Sequence, residues 1–300
     1  MEKKHDITEL QSQVMKSGIY FNLSNEDYHN DKSVSNSSMS QLLKTPLHYW
    51  HNSAMNPNKE PLDTLALKNG KVLHTLLLEP HKFHEEWKIK AGVKNTTSAG
   101  MIGEGAYNEL KEAVAALRSD KIIAGLFSYG FPEVSIFWVD LETGVPCRAR
   151  MDYLSSILIS DLKGCADVSN QKIGYSIVDY GYFRQQAFYL DAVEIIKGII
   201  RSGVPVHNDC PDKIWFSRFM ESVHNKFAFV FQEKTAPFVT RAEQLCERTY
   251  EIGQGSYRQA LSIFKQNYEK HGAEKWPSGY EGKVGLMQLD DLPAKINYIF

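Results

Sequence analysis

In the first part of the chain, apolar residues recur at helical spacing. Leu42 and Leu43 close a short segment that stops before Pro46. It opens at Ser35-Asn36-Ser37-Ser38, residue types that cap helix N-termini through their side-chain oxygens. A second apolar stretch runs from Leu65 through Leu78 and ends at Glu79-Pro80, and Leu110, Val114 and Leu117 recur between Glu104 and Arg118. Both predict helices. The middle of the chain changes period. From Glu133 to Asp140 (EVSIFWVD), Val134, Ile136 and Trp138 share one face. Glu142-Thr143-Gly144 marks a turn, after which Val145, Cys147, Ala149 and Met151 alternate with Arg148, Arg150 and Asp152 as far as Leu154. A third strand, Ile157 to Lys163, follows the Ser155-Ser156 break. Three strands with tight links predict an antiparallel meander. Phe188, Ala192, Ile195 and Ile199 then mark a long amphipathic helix. Ile214 to Phe219 and Phe227 to Gln232 read as two further strands, and Tyr257, Leu261, Phe264 and Tyr268 as a late helix. The order predicts an α/β domain in which helices flank a central mixed β-sheet.

Composition narrows the class. Of 300 residues, 43% are hydrophobic and 23% charged, which suits a globular chain and not a disordered one. No repeat or Pro/Gly/Ser-rich linker divides it. Residues 1–17 are polar and expected to be a flexible start, and 18–300 a single domain. Lys+Arg 34 against Asp+Glu 36 leave a net charge of −2, so no basic tail points to nucleic acid, although a local basic channel fits a neutral total. Cys147, Cys165, Cys210 and Cys246 lie far apart without a CxxC pair, so reduced, buried thiols are expected instead of a zinc ribbon or disulfide framework. The N-terminus has no apolar leader region, and no apolar run is long enough to span a bilayer. A cytoplasmic protein with no membrane partner is expected.

The strongest chemical signal is Asp152 followed by Asp161-Leu162-Lys163. On a strand, positions 161 and 163 face the same way, which puts a carboxylate beside an ammonium, with a second carboxylate on the neighbouring strand. Hard divalent cations take such oxygens, and a lysine beside a metal can hold water or neutralise phosphate charge. An Asp-x-Lys pair is more often a surface ion pair. Gln185 and Tyr189 share a helix face but also read as a polar helix margin. His74, within VLHTLLLEP, reads more readily as a core histidine, and Glu133, after Pro132, can be simply a solvated edge residue.

Together these residues resemble the exodeoxyribonuclease VIII type of phage and prophage recombination exonucleases, within the PD-(D/E)xK nuclease superfamily. The resemblance runs from about Gly18 to Pro293, through GIYFNLSNEDYH, LLKTPLHYW, NGKVLHTLLLEPHKF, EVSIFW, TGVPCRARMDYL, DLKGCAD, YFRQQAFYLDA and VFQEKTAPFVT. It implies a PD-(D/E)xK nuclease-like core in which Asp152 and Asp161 ligate Mg²⁺ or Mn²⁺ with help from the Leu162 carbonyl. Lys163 is then the catalytic lysine, His74 completes or borders the metal site, and Glu133 is a further metal ligand. Gln185 and Tyr189 support the site and the DNA backbone. Gly164-Cys165 departs from the threonines that many relatives carry. The dispersed cysteines imply no Fe–S cluster.

The resemblance also implies an ATP-independent exonuclease acting 5′→3′ on linear double-stranded DNA. It would leave 3′ single strands for a single-strand annealing recombinase, and would work as a homo-oligomer, a tetrameric ring. Asn69-Gly70-Lys71 does not make an ATP site, because Leu65 and Val72 break the Walker A pattern. The competing readings are a PD-(D/E)xK endonuclease and a DNA-binding module that has lost catalysis.

Overall fold

The computed structural model describes residues 4–60, 64–94, 100–282, 284–288 and 291. In chain order the first elements are α1 (Ile7–Gln11), β1 (Gly18–Tyr20), α2 (Asn25–Asn30), α3 (Asn36–Leu42), α4 (Pro46–Asn52) and α5 (Leu65–Leu78). Next come α6 (Phe83–Glu86), β2 (Lys88–Lys90), β3 (Met101–Gly103), α7 (Glu104–Ser119) and α8 (Lys121–Gly125). The centre is β4 (Gly130–Val139), β5 (Pro146–Ser155), β6 (Ile159–Cys165), α9 (Asn170–Asp179) and α10 (Tyr182–Arg201). The chain continues with β7 (His207–Asn208), α11 (Lys213–Glu221), β8 (Phe227–Glu233), β9 (Thr240–Glu243) and α12 (Glu247–His271).

Seven strands form the main sheet in the order β7-β1-β4-β5-β6-β8-β9, and β2 pairs with β3 apart from it. The predicted meander β4-β5-β6 is antiparallel, whereas β8 runs parallel to β6, so the sheet is mixed. Helices cover both faces. Under α10, α12 and α3 lies the larger core, with Ile136, Met151, Phe188, Phe229 and Phe264. Under α5 and α7 lies a second, with Leu73, Leu110, Val114, Leu162 and Val230. A third, small cluster of Tyr20, Tyr28 and Phe137 sits beneath α2. The helix α12 crosses α10 closely at Gly253, where a Cβ would stand 2.2 Å from the Phe183 carbonyl oxygen.

Three expectations are corrected. The described part of residues 1–17 is attached: Asp6 caps α1, and Ile7 and Leu10 enter the larger core. Each such burial is worth about 2 kcal/mol, enough to hold a short helix down. Ile214 to Phe219 is helical, because Asp212 caps α11 and Trp215 and Phe219, one turn apart, share its buried side. The four thiols are unpaired, but only Cys147 is buried; Cys165 and Cys210 are half-buried and Cys246 is exposed. Pro293, where the resemblance ends, lies outside the described residues.

Candidate active site

The site forms where the meander opens. The strands β5 and β6 pair at Tyr153–Ser160 and Leu154–Ile159 and then part, while β6 stays paired with β8 along its length. The backbone of Leu162 thereby loses β5 as a partner, and side chains replace it. Asp152 Oδ2 accepts the Leu162 N–H at 2.7 Å, and His74 Nε2 lies 3.1 Å from the Leu162 carbonyl oxygen.

Strand alternation also fails here. Phe131 and Val134, and their partners Leu154 and Met151, all pack toward the larger core although each pair is three residues apart. The irregular residues between them are Glu133 and Asp152. Glu133 has φ +53°, a left-handed conformation that costs about 1 kcal/mol or more in a non-glycine residue. The break turns both carboxylates toward α5. His74 Nδ1 lies 3.6 Å from Asp152 Oδ2 and 3.9 Å from Glu133 Oε1.

Behind this trio stands a second layer. Lys163 Nζ is 2.5 Å from Asp161 Oδ2, and Gln185 Nε2 donates to Asp161 Oδ1 at 2.5 Å. The Lys163 ammonium lies 4.5 Å from the centre of the Tyr182 ring. Tyr189, on α10, is buried with its ring 6.3 Å from that of Phe227 on β8.

Crowding sets the electrostatics. Burial alone would lower the His74 pKa, but the Asp152 and Glu133 carboxylates outweigh it and raise the value to about 9. Burial raises Asp161 to about 6, helped by the Asp152 charge and opposed by Lys163. Asp152 is raised by burial against the pull of His74 and Lys163. For Lys163, the attraction of Asp161 and Asp152 overcomes burial and raises the pKa, so it is an ammonium at neutral pH.

His74, Glu133 and Asp152 each offer a ligand atom, all within 4.8 Å of one another, and the Leu162 carbonyl faces His74. One imidazole nitrogen with several oxygens fits a divalent cation, and suits Mn²⁺ better than Mg²⁺. Asp161 is not among the converging three, since Lys163 and Gln185 engage both its oxygens.

A family model described as a PDDEXK-like domain of unknown function (DUF3799) matches residues 35–204, more than half of the chain. The chain belongs to that DUF3799 family. Every site residue named above lies inside the DUF3799 match, whereas β8, β9 and α12 lie beyond it. No curated protein matches. Among solved structures, one from Eubacterium rectale named "Putative exonuclease" is 17% identical with a TM-score of 0.57, over 92% of this chain and 99% of that one. That likeness and the DUF3799 match agree on a PD-(D/E)xK nuclease-like fold.

The surroundings of the candidate site also hold residues that sequence reasoning passed over. Tyr182, three residues before Gln185, could have been found as its helical neighbour. Arg184, which ties α10 to α3 through Asn36 at 3.0 Å, carried no signal. At Gly164, a Cβ would press Lys234 and Leu73 at 3.2 and 3.3 Å, which accounts locally for glycine after the lysine.

Proposed function

We propose that this protein is a divalent-metal-dependent, ATP-independent exonuclease of linear double-stranded DNA. The observation that carries the reading is the convergence of ligand atoms of His74, Glu133 and Asp152 on one another, with the Lys163–Asp161 ion pair behind them. Asp161 serves as a further ligand if it releases Lys163. A divalent cation held by His74, Glu133 and Asp152 would supply Lewis acidity toward the scissile phosphate and toward a water molecule.

The chain's own groups divide the remaining work. Lys163, held as an ammonium by Asp161 and by the Tyr182 ring, donates hydrogen bonds to the attacking oxygen or to the charge that grows on the phosphate. It is not the base. Gln185 fixes Asp161, so the lysine keeps one direction. The Asp152 carboxylate orients its ligand oxygens by accepting the Leu162 N–H. The 5′→3′ direction, the supply of 3′ strands to an annealing recombinase and the tetrameric ring rest on the resemblance to recombination exonucleases.

The test is incubation with Mg²⁺ or Mn²⁺ on linear and on covalently closed circular duplex. Degradation of the linear form alone is expected, and EDTA should stop it. Nicking of the circle would make the protein an endonuclease, and a mobility shift without cleavage would make it a binding module.

A further inference from the structure

On the face of the sheet that carries the candidate site, two covers meet. The helix α5 covers the β6 and β8 side, and α2 covers the β1 and β4 side through Tyr28. His74, Glu133 and Asp152 lie between the covers, each partly exposed. Arg150 stands next to them on β5, two residues or about 7 Å along the strand from Asp152.

This Arg150 is a buried cation with neutral partners. Its guanidinium donates to Ser135 Oγ, Asn25 Oδ1 and the Leu23 and Ser24 carbonyls, and stacks 4.2 Å from the centre of the Tyr28 ring. No carboxylate pairs with it among the described residues. Its charge therefore adds to a positive field on the α2 side of the site.

Three exposed side chains share that field. Lys71 lies three residues before His74, on the same side of α5 and about 5 Å back along its axis. His29 lies on α2 with its ring 5.4 Å from the Tyr28 ring that Arg150 stacks on, and Lys59 lies in the segment after α4. The charges that act most on the His29 imidazole are all cations: partial desolvation lowers its pKa first, and then Arg148, Arg150, Lys71 and Lys59 take it to about 4. Among the described residues, neither Lys71 nor Lys59 pairs with a carboxylate. Arg148 is paired with Asp31, which leaves Arg150, Lys71 and Lys59 as cations without a carboxylate partner among the described residues, and a phosphodiester chain offers them an anion beside the phosphate being cut.

We propose that Lys71, Lys59 and His29 form the phosphate-binding track next to the cutting centre, holding the backbone of the strand whose neighbouring phosphate lies at His74, Glu133 and Asp152. This rests on the nuclease reading above. Arg150 supplies field from below and makes no contact of its own.

The experiment is equilibrium binding of a short blunt duplex in Ca²⁺, as a salt series, for the wild type, Lys71→Ala, Lys59→Ala, the double variant and Lys71→Arg. Lys111→Ala, on α7 in a groove lined also by Pro80, Phe83 and His84, is the control. Each alanine variant should make the slope of log affinity against log salt shallower by about one. The double variant should lose on the order of 10-fold in affinity at low salt, with an unchanged melting temperature, and Lys71→Arg should restore the wild-type slope. Unchanged slopes in both alanine variants, with salt-dependent wild-type binding, would overturn the track and leave the nuclease reading intact. A loss in Lys111→Ala equal to that in Lys71→Ala would also overturn it, because the grip would then be diffuse. A wild type that binds no duplex at any salt would end both.

Discussion

Two of the buried charge groups among the described residues contrast sharply, and one of the two has the makings of a site. The first is His74, Glu133, Asp152, Asp161 and Lys163. The second joins α10 to the segment between α11 and β8. There the Lys197 ammonium, fully buried, donates to Glu194 Oε1 at 3.0 Å, the Ser222 carbonyl at 2.9 Å and His224 Nδ1 at 2.7 Å. His224 Nε2 in turn faces the Ser155 carbonyl at 3.1 Å. Both groups have displaced pKa values, so displacement by itself does not mark function. Saturation separates them. Lys197 has three donors and three acceptors, and both nitrogens of His224 are engaged. At the other centre, three carboxylates face two cations, and ligand oxygens converge with spare lone pairs. A saturated cluster locks the fold; an unsaturated one waits for a ligand.

The largest effect that would sharpen this contrast is on cleavage. Asp152→Asn keeps an acceptor for the Leu162 N–H but removes a charge, so the rate should fall on the order of 10³-fold while the metal-free protein melts no lower. A marked fall in melting temperature would make Asp152 a structural residue like Lys197. Next comes Lys163→Ala, which leaves the metal trio whole. Calorimetry should find the ion still bound, with cleavage down on the order of 10²-fold. Wild-type cutting by this variant would remove β6 from the active centre.

Lys197→Met should do the reverse. It strands the Ser222 carbonyl and His224 Nδ1, at a cost of about 2–4 kcal/mol read by urea unfolding, while the folded fraction cuts normally. Cleavage lost in proportion to Asp152→Asn would erase the distinction between the clusters.

The smallest effect is in pH, and its sign differs between the two. Burial first, and then Lys197, lower the His224 pKa to about 4 against the opposing Ser155 carbonyl, so its contribution is present above pH 6.5 and is lost as pH falls through about 4. His74 is raised to about 9, so its contribution is present below pH 6.5 and is lost as pH rises through about 9. Metal-free protein should thus melt lower at both ends. Saturating Mn²⁺ should abolish the alkaline loss only, because the ion takes the place of the His74 proton. An alkaline loss that persists with metal bound would take His74 out of the ligand set.

How far the sequence revealed these clusters follows from the range of each cause. Period-two alternation reports one strand's own geometry, so the meander and the shared face of Asp161 and Lys163 were legible. The run Ile214 to Phe219 is too short for its period to separate helix from strand, and the decisive signal was the cap at Asp212. The first helix depends on two apolar residues whose burial is provided by distant partners. The strands β1, β7 and β9 are too short to carry a pattern. At the site, residue types named the chemistry, but the parting of β5 from β6 and the left-handed Glu133 decide which carboxylate meets His74. Neither is written in a local pattern. The Lys197 lock was missed because Ser222 and His224 lie 25 and 27 residues further along the chain, and only the fold brings them to the lysine.

Leu162 gives the candidate site two atoms, its N–H and its carbonyl oxygen, while its side chain serves the core under α5 and α7. Selection on the chemistry therefore acts at this position through the peptide group. Any apolar residue of similar volume can drift in without touching the reaction, whereas proline, lacking the N–H, is forbidden. Part of the apparatus is thus inherited as chain path and not as residue identity, and lineages can diverge there in sequence while keeping the same centre.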